Sequence, residues 1–185
     1  MKKITAFGLF VFLLISCNQT KIAYIDVEEV IKEYKAMKEA QKELELKENE
    51  YKQVLDQLAV SYQSGLKSYQ EKGRSMSLKQ RQETENELLQ QQQVLNQRQQ
   101  QAQQELQKFG QEKMDEINES IEDFVSDYAK ANGYTYILGT TDQTKAVLYG
   151  QNSMDLTDTI IEALNDEYKT NSKKEDSSEK KDTVN

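Results

Sequence analysis

Between Val30 and Tyr69, apolar and aromatic residues recur at steps that alternate between four and three residues. The series comprises Val30, Tyr34, Met37, Gln41, Leu44, Glu48, Tyr51, Leu55, Leu58, Tyr62, Gly65 and Tyr69. Nine of these twelve positions are apolar or aromatic, and their spacing places them on one narrow stripe of an α-helix. Such a stripe is buried only against another helix. The pattern therefore predicts a long helix with a partner helix along its length.

Both ends of this helix are marked in the sequence. Asp26 and Glu29 match the capping box D-x-x-E, in which each side chain satisfies an exposed backbone donor of the other residue. The apolar pattern breaks within residues 72–77, where Gly73 and two serines favour a turn. We therefore predict that the first helix begins at residue 27 and leads to a tip near residues 72–77.

A second long helix is predicted from about residue 78 to residue 132. Ser77 and Gln80 match a capping box at its start, and Gly133 follows its end, where a left-handed residue often terminates a helix. Its stripe consists of Leu88, Gln92, Leu95, Gln99, Ala102, Leu106, Ile117, Ile121, Phe124, Tyr128 and Ala131. The two helices are expected to form an antiparallel coiled-coil hairpin, the arm, over residues 27–132.

Short segments with the two-residue period of β-strands flank the predicted arm. They are residues 21–26 (KIAYID), residues 134–139 and residues 146–149, the last two joined by the turn-rich sequence TTDQTK. Three short strands form too small a sheet to stand alone and leave its edges open. The sequence therefore predicts a mostly α-helical chain whose small β body, residues 21–26 and 133–169, is completed by self-association.

The chain is expected to close with one more helix and a tail. Asp155 is a predicted cap, and the helix after it carries an apolar face formed by Leu156, Ile160, Ile161, Leu164 and Tyr168. Residues 170–185 are rich in charged residues and serine. We predict that this tail is disordered, because such a composition buries little apolar surface.

The composition disfavours several classes of function. The chain has no histidine, which is the usual acid–base catalyst and the commonest metal ligand, so we predict neither an enzyme nor a metal or other cofactor. Carboxylates at helical spacing are interpreted as a solvated acidic face; they are Glu112, Asp115, Glu116, Glu119, Glu122 and Asp123. The formal net charge of −8 also disfavours nucleic acid, whose phosphates bind clustered Lys and Arg.

The first residues have the order of an export signal. Lys2 and Lys3 precede an apolar run over residues 4–15 that is too short to span a bilayer. The string LISC that ends in Cys17 resembles the bacterial lipobox, whose cysteine is acylated after cleavage just before it. This resemblance implies a signal peptide over residues 1–16, a lipidated spacer over 17–20, and a protein anchored to a membrane from the periplasmic or outer side.

The order of segments resembles the Skp/OmpH family of periplasmic chaperones. The resemblance lies in an exported start, KIAYID leading into VEEVIKEYKAMKEAQKELE, a helical hairpin, and YTYILGTTDQTKAVLYGQNSMDLTDTIIEALN. It implies a homotrimer with a β body, from which three arms enclose a cavity for unfolded outer-membrane β-barrel proteins. The residues that would fall in the trimer body are Ile22, Tyr24, Ile137, Leu138, Val147 and Leu148. The best-known members are soluble and basic, whereas this chain is acidic.

Two functions follow as hypotheses. The first is a holdase chaperone of the periplasm, and the candidate client contacts on its arms are Tyr51, Tyr62, Tyr69 and Met76. For the three tyrosines, ordinary packing within the helical stripe is favoured over client contact. The alternative function is a lipid-anchored coiled-coil spacer or adaptor of the cell envelope.

Overall fold

The computed structural model describes the backbone of residues 20–182 and the side chains of residues 20–171. In chain order its elements are β1 (Ile22–Asp26), α1 (Val27–Glu33), α2 (Lys35–Lys72), α3 (Leu78–Asn132), β2 (Tyr136–Thr140) and α4 (Thr157–Asp182). Single 3₁₀ turns, Gly73–Ser75 and Asn152–Met154, precede α3 and α4. The prediction of a mostly helical chain with a small sheet is confirmed.

The long helices α2 and α3 pack against each other. The Tyr51 hydroxyl donates a hydrogen bond to Glu105, and the Tyr69 hydroxyl donates one to Glu85. Because the later residue of α2 contacts the earlier residue of α3, the two helices run in opposite directions. The nine apolar positions of the stripe between Val30 and Tyr69 are all buried or half-buried.

Helix α3 begins and ends where the sequence predicts. The Ser77 hydroxyl accepts a hydrogen bond from the Gln80 backbone N–H at 3.3 Å, and the Gln80 side chain accepts one from the Ser77 N–H at 3.0 Å. Gly133 follows the last turn with φ 69° and ψ 27°, the left-handed conformation that glycine adopts without steric cost. Local side-chain chemistry therefore sets both ends of this helix of 55 residues.

The first helix is interrupted, which the sequence did not predict. Asp26 caps α1 by accepting a hydrogen bond from the Glu29 N–H at 3.1 Å, as expected. The Asp26 N–H donates to the Thr157 hydroxyl at 2.9 Å and not to Glu29, so only half of the predicted capping box forms. Tyr34 is extended, however, with φ −67° and ψ 130°, and separates α1 from α2. The Asn165 side chain of α4 accepts a hydrogen bond from the Lys35 N–H at 2.7 Å and donates one to the Glu33 carbonyl at 3.1 Å. A residue 130 positions away thus satisfies the backbone at the break.

The sheet contains two parallel strands, β1 and β2, with Ile22 opposite Tyr136 and Asp26 opposite Thr140. Residues 146–149, which the sequence predicts as a third strand, form no strand in the single chain. Backbone hydrogen bonds there are local, such as the one from the Ala146 N–H to the Thr144 carbonyl at 2.6 Å. Within residues 20–182 the only β-type pairing of β1 besides β2 is a single bridge between Tyr24 and Asp155, so no strand edge pairs with residues 146–149.

The hydrophobic core lies at one end of the molecule, where the sheet, α1, α4 and the C-terminal part of α3 meet. Its buried members are Ala23, Ile25, Val30, Tyr34, Ile117, Ile121, Leu156, Ile160 and Leu164. Val30 and Ile160 are fully buried within it. The rest of α3 buries only Leu88 and Ala102, and α2 buries no residue fully. The long helices therefore extend away from a compact base with little core of their own.

Helix α4 continues beyond the point at which the sequence predicted disorder. It spans Thr157–Asp182, which includes most of the predicted tail of residues 170–185. This stretch contains neither proline nor glycine, and its lysines and glutamates are good helix formers. The lack of an apolar pattern in this sequence does not prevent the backbone from continuing a helix that has already begun at the core.

Candidate functional site

The sheet has an inner and an outer face because side chains alternate along a strand. Ala23 and Ile25 are buried on the inner face and belong to the core. The outer face, called the outer sheet face below, consists of Ile22, Tyr24, Tyr136 and Leu138, which the parallel register brings together. Tyr136 is 59% exposed and Leu138 is 42% exposed, so a group of large apolar side chains remains uncovered.

The six residues predicted for the oligomer body fall in different surroundings. Ile22, Tyr24, Ile137 and Leu138 lie in the two strands, whereas Val147 and Leu148 lie in the loop before α4. Ile137 packs on the core from the inner face, so it is a core residue of the single chain. Leu148 is 88% exposed. The sequence analysis missed Tyr136, which alternation with Leu138 along β2 would have placed on the same face.

The loop before α4 lies against the outer sheet face at one point. A Cβ atom on Gly150 would lie 2.3 Å from Cε1 of Tyr24, so only glycine allows this approach of the backbone to the ring. Burial raises the pKa of Tyr24, and the neighbouring Asp155 and Tyr149 raise it further. Tyr149 itself is exposed, next to Leu148. The exposed apolar surface therefore continues from the strands onto this loop.

The four candidate client contacts are all half-buried. Tyr51 and Tyr69 are engaged between the helices through their hydroxyl groups. The hydrogen bond from Tyr51 lowers the pKa of Glu105, with a second hydrogen bond from Gln101 acting in the same direction. These two tyrosines therefore join α2 to α3. Tyr62 lies in the same stripe, and Met76 lies at the tip next to Ser77.

Large apolar side chains are exposed on the long helices outside the packed stripe. They are Leu46, Val54, Val60, Leu78, Leu89 and Val94. Val60 is 65% exposed and Leu46 is 64% exposed. The sequence analysis missed these residues because it followed only the positions that repeat with the helix–helix stripe. Their exposure gives the pair of helices several separate apolar contact points.

The described residues lack two other kinds of site. Among the residues that the structure describes, no three His, Cys, Asp or Glu side chains lie close enough to hold a metal ion. None of the helices within residues 20–182 is both long enough and apolar enough to cross a membrane. The predicted signal peptide and Cys17 lie outside the described residues.

Comparisons with known proteins identify the family of this chain. Residues 21–164 match the model of the family described as outer membrane protein (OmpH-like). A crystal structure from Caulobacter crescentus CB15, described as a candidate outer membrane chaperone (OmpH-like), has the same fold with a TM-score of 0.71 at 14% sequence identity. The match covers 80% of this chain and 85% of that chain. No curated protein matches the sequence. Because the family model covers more than half of the chain, this protein belongs to the OmpH-like family.

Proposed function

We propose that this protein is a periplasmic holdase chaperone that binds unfolded outer-membrane β-barrel proteins. It would enclose a client between the α2–α3 arms of a homotrimer and would act by binding alone. Membership of the OmpH-like family supports the chaperone class, and the fold supports a client site between arms. No step of this activity requires a cofactor.

The observation that carries this proposal is the set of exposed apolar side chains on α2 and α3. Unfolded barrel strands offer apolar side chains at many positions, so weak contacts at Leu46, Val54, Val60, Leu89 and Val94 would add up along an arm. Several arms around one client multiply this effect, because each further contact is made within the complex. Such binding tolerates many client sequences and does not require the positive charge that this chain lacks.

The oligomer is part of the proposal. A single chain leaves the outer sheet face exposed, with Tyr136 and Leu138 at its centre. A two-stranded sheet is only marginally stable by itself. A neighbouring copy would cover the outer sheet face, and its strands would extend the sheet by pairing with an open edge. Residues 146–149 would gain a strand partner only in such an assembly. The roles of Val147 and Leu148 in the body therefore depend on the oligomer.

We also propose that Cys17 carries the lipid and that the mature protein stays attached to an envelope membrane facing the periplasm. The support is the lipobox-like string LISC at the end of the apolar run. Several acyl chains hold a protein at a membrane far more firmly than one. The expected result of mass spectrometry on the native protein is a chain that begins at an acylated Cys17. A chain that begins elsewhere and carries no lipid would contradict the anchor.

The chaperone activity is tested on residues 18–185, which include every residue that the structure describes. An outer-membrane β-barrel protein unfolded in urea is diluted into buffer with and without this chain, and aggregation is followed by light scattering. We expect suppression near one trimer per client, and size exclusion with light scattering should give three times the mass of one chain. A barrel protein that aggregates as it does alone would contradict the proposal.

A pair of variants tests the contact surface. Replacing Leu46, Val54, Val60 and Leu89 by serine should leave the fold intact, because these side chains are exposed. It should weaken client binding about tenfold or more, since the loss of roughly 1.4 kcal/mol lowers an affinity by that factor. The matched control replaces the exposed residues Gln90, Gln93, Gln97 and Gln104 by serine and should keep full activity. Equal activity of both variants would show that these exposed residues of the arms do not bind the client, and it would favour the spacer or adaptor function.

A further inference from the structure

A cleft lies at the base of the arm, between the C-terminal half of α3 and helix α4. Its volume is about 590 Å³. Its lining includes Tyr34 and Tyr168, whose rings meet edge to face with centroids 5.6 Å apart. It also includes Phe124 and Tyr128, which are stacked with centroids 6.3 Å apart. Two aromatic pairs therefore contribute to the lining of the cleft.

Carboxylates complete the lining of the cleft, which also includes Asp123, Asp127 and Glu167. Asp127 forms an ion pair with Lys130 at 3.0 Å. Asp123 and Glu167 take part in none of the ion pairs formed by the described side chains. Both residues are exposed to solvent, and they line the aromatic cleft without an ion pair from the described part of the chain.

The Glu167 carboxylate also acts on the cleft wall. Tyr34 is only 5% exposed, and burial raises the pKa of its hydroxyl, with the negative charge of Glu167 raising it further. The charge of Glu167 therefore acts at the Tyr34 hydroxyl. A cation bound in the cleft would be attracted by this carboxylate.

We propose that this cleft binds the side chain of an arginine from an extended polypeptide. A planar guanidinium stacks on aromatic faces and donates paired hydrogen bonds to carboxylates, so it matches both parts of the lining. The compact ammonium of lysine pairs well with carboxylates but stacks poorly on aromatic rings, which favours arginine over lysine. The inference rests on the proposed chaperone function only for the source of the arginine, which would be the unfolded client.

Binding can be measured directly because the chain contains no tryptophan. The probe is a short peptide with one arginine and one tryptophan, whose fluorescence anisotropy is followed as residues 18–185 are added. The matched peptide carries citrulline, which keeps the shape of arginine and removes its charge. At an ionic strength of about 0.01 M, where screening is weak, we expect the arginine peptide to bind about tenfold more tightly or better.

Variants then locate the binding site. The double variant Asp123→Asn with Glu167→Gln keeps the shape of the cleft and should lose about tenfold or more in affinity for the arginine peptide. The control, Glu45→Gln with Glu87→Gln, removes the same charge from exposed positions on α2 and α3 and should bind within about twofold of the original chain. Circular dichroism should show that both variants keep their helices.

Three outcomes would overturn the inference. They are equal binding of the arginine and citrulline peptides, no binding of either, or an equal loss in the cleft variant and the control. The aggregation assay separates this inference from the proposed function. If the chain suppresses aggregation but binds both peptides equally, the chaperone function is supported and the arginine site is contradicted. If the chain binds the arginine peptide through the cleft but does not suppress aggregation, the arginine site is supported and the chaperone function is contradicted.

Discussion

Gly133 and Gly110 have different backbone conformations, left-handed at Gly133 and α-helical at Gly110. Gly133 has φ 69°, a region that residues with a Cβ atom rarely adopt. Gly110 lies inside α3, and a Cβ atom there would meet nothing within 4 Å. Glycine is therefore required at the end of the helix, whereas at residue 110 it only weakens the helix.

These conformations predict that alanine substitutions at the two positions change the free energy of unfolding in opposite directions. Gly133→Ala should lower the free energy of unfolding by about 1 to 2 kcal/mol, because the left-handed conformation is strained for alanine. Gly110→Ala should raise it by about 0.5 to 1 kcal/mol, because alanine restricts the unfolded chain and favours the helix. Urea unfolding at one protein concentration measures both. Changes of the same sign would contradict the assigned conformations.

At the scale of elements, the joint between α1 and α2 depends on another helix. Asn165 of α4 bonds to the Glu33 carbonyl and to the Lys35 N–H on either side of the extended Tyr34. These bonds fix the direction in which α2 leaves the base. The joint therefore couples the arm to α4.

Removing this side chain should loosen the joint. Asn165→Ala leaves two part-buried backbone groups without partners, which should cost about 1 to 3 kcal/mol of unfolding free energy. Asn86→Ala, at an exposed position of α3, serves as the control and should change stability little. Hydrogen exchange of the Lys35 amide should also become faster in Asn165→Ala alone. An unchanged exchange rate would show that the bridge does not hold the joint.

The pairing of α2 with α3 has a pH dependence whose sign follows from Tyr51 and Glu105. The hydrogen bond from Tyr51 is the main cause of the lowered pKa of Glu105 in the folded chain. Its contribution to stability is therefore present above the unfolded pKa of about 4.3 and is lost as the pH falls through the lower folded value. The contacts between the helices should weaken in acid.

The variant Tyr51→Phe tests this pair. The pKa of Glu105, followed by NMR through its side-chain carboxyl carbon, should rise toward its ordinary value. The stability difference from the original chain should be present at neutral pH and shrink in acid. Tyr62→Phe is the control, because no described residue hydrogen-bonds to the Tyr62 hydroxyl. A Glu105 pKa that stays lowered in Tyr51→Phe would exclude Tyr51 as the cause.

At the scale of the whole molecule, the exposed apolar side chains lie mainly in two regions. The outer sheet face with Tyr136 and Leu138 lies at the base, and the exposed apolar residues of α2 and α3 lie along the arm. We propose that the first makes contacts between copies and that the second contacts clients. This division predicts that substitutions in the two regions affect different measurements.

A charge on the outer sheet face should separate the copies. Leu138→Glu places a carboxylate in the proposed interface, where burying an unpaired charge is costly, so the mass in solution should fall to that of one chain. Val60→Glu adds the same charge to the arm at a residue that is 65% exposed and should leave the mass unchanged. Light scattering after size exclusion measures both. A Leu138→Glu variant with the mass of the original assembly would place the interface elsewhere.

The sequence alone determined the features that depend on neighbouring residues. The capping box at Ser77 and Gln80, the left-handed end at Gly133 and the stripe from Val30 to Tyr69 all follow from interactions within a few turns of helix. The family resemblance was also visible in the segments at both ends of the chain. These features needed no knowledge of which elements meet in space.

Only the tertiary structure decided the rest. The break at Tyr34 depends on Asn165, which no local pattern connects to it. Residues 146–149 have a strand-like sequence but lack a partner edge within the described chain, since a strand exists only through its neighbour. The cleft likewise joins Tyr34, Asp123 and Glu167 from three helical regions. Contacts between distant residues set these features, because their energies depend on how the elements pack.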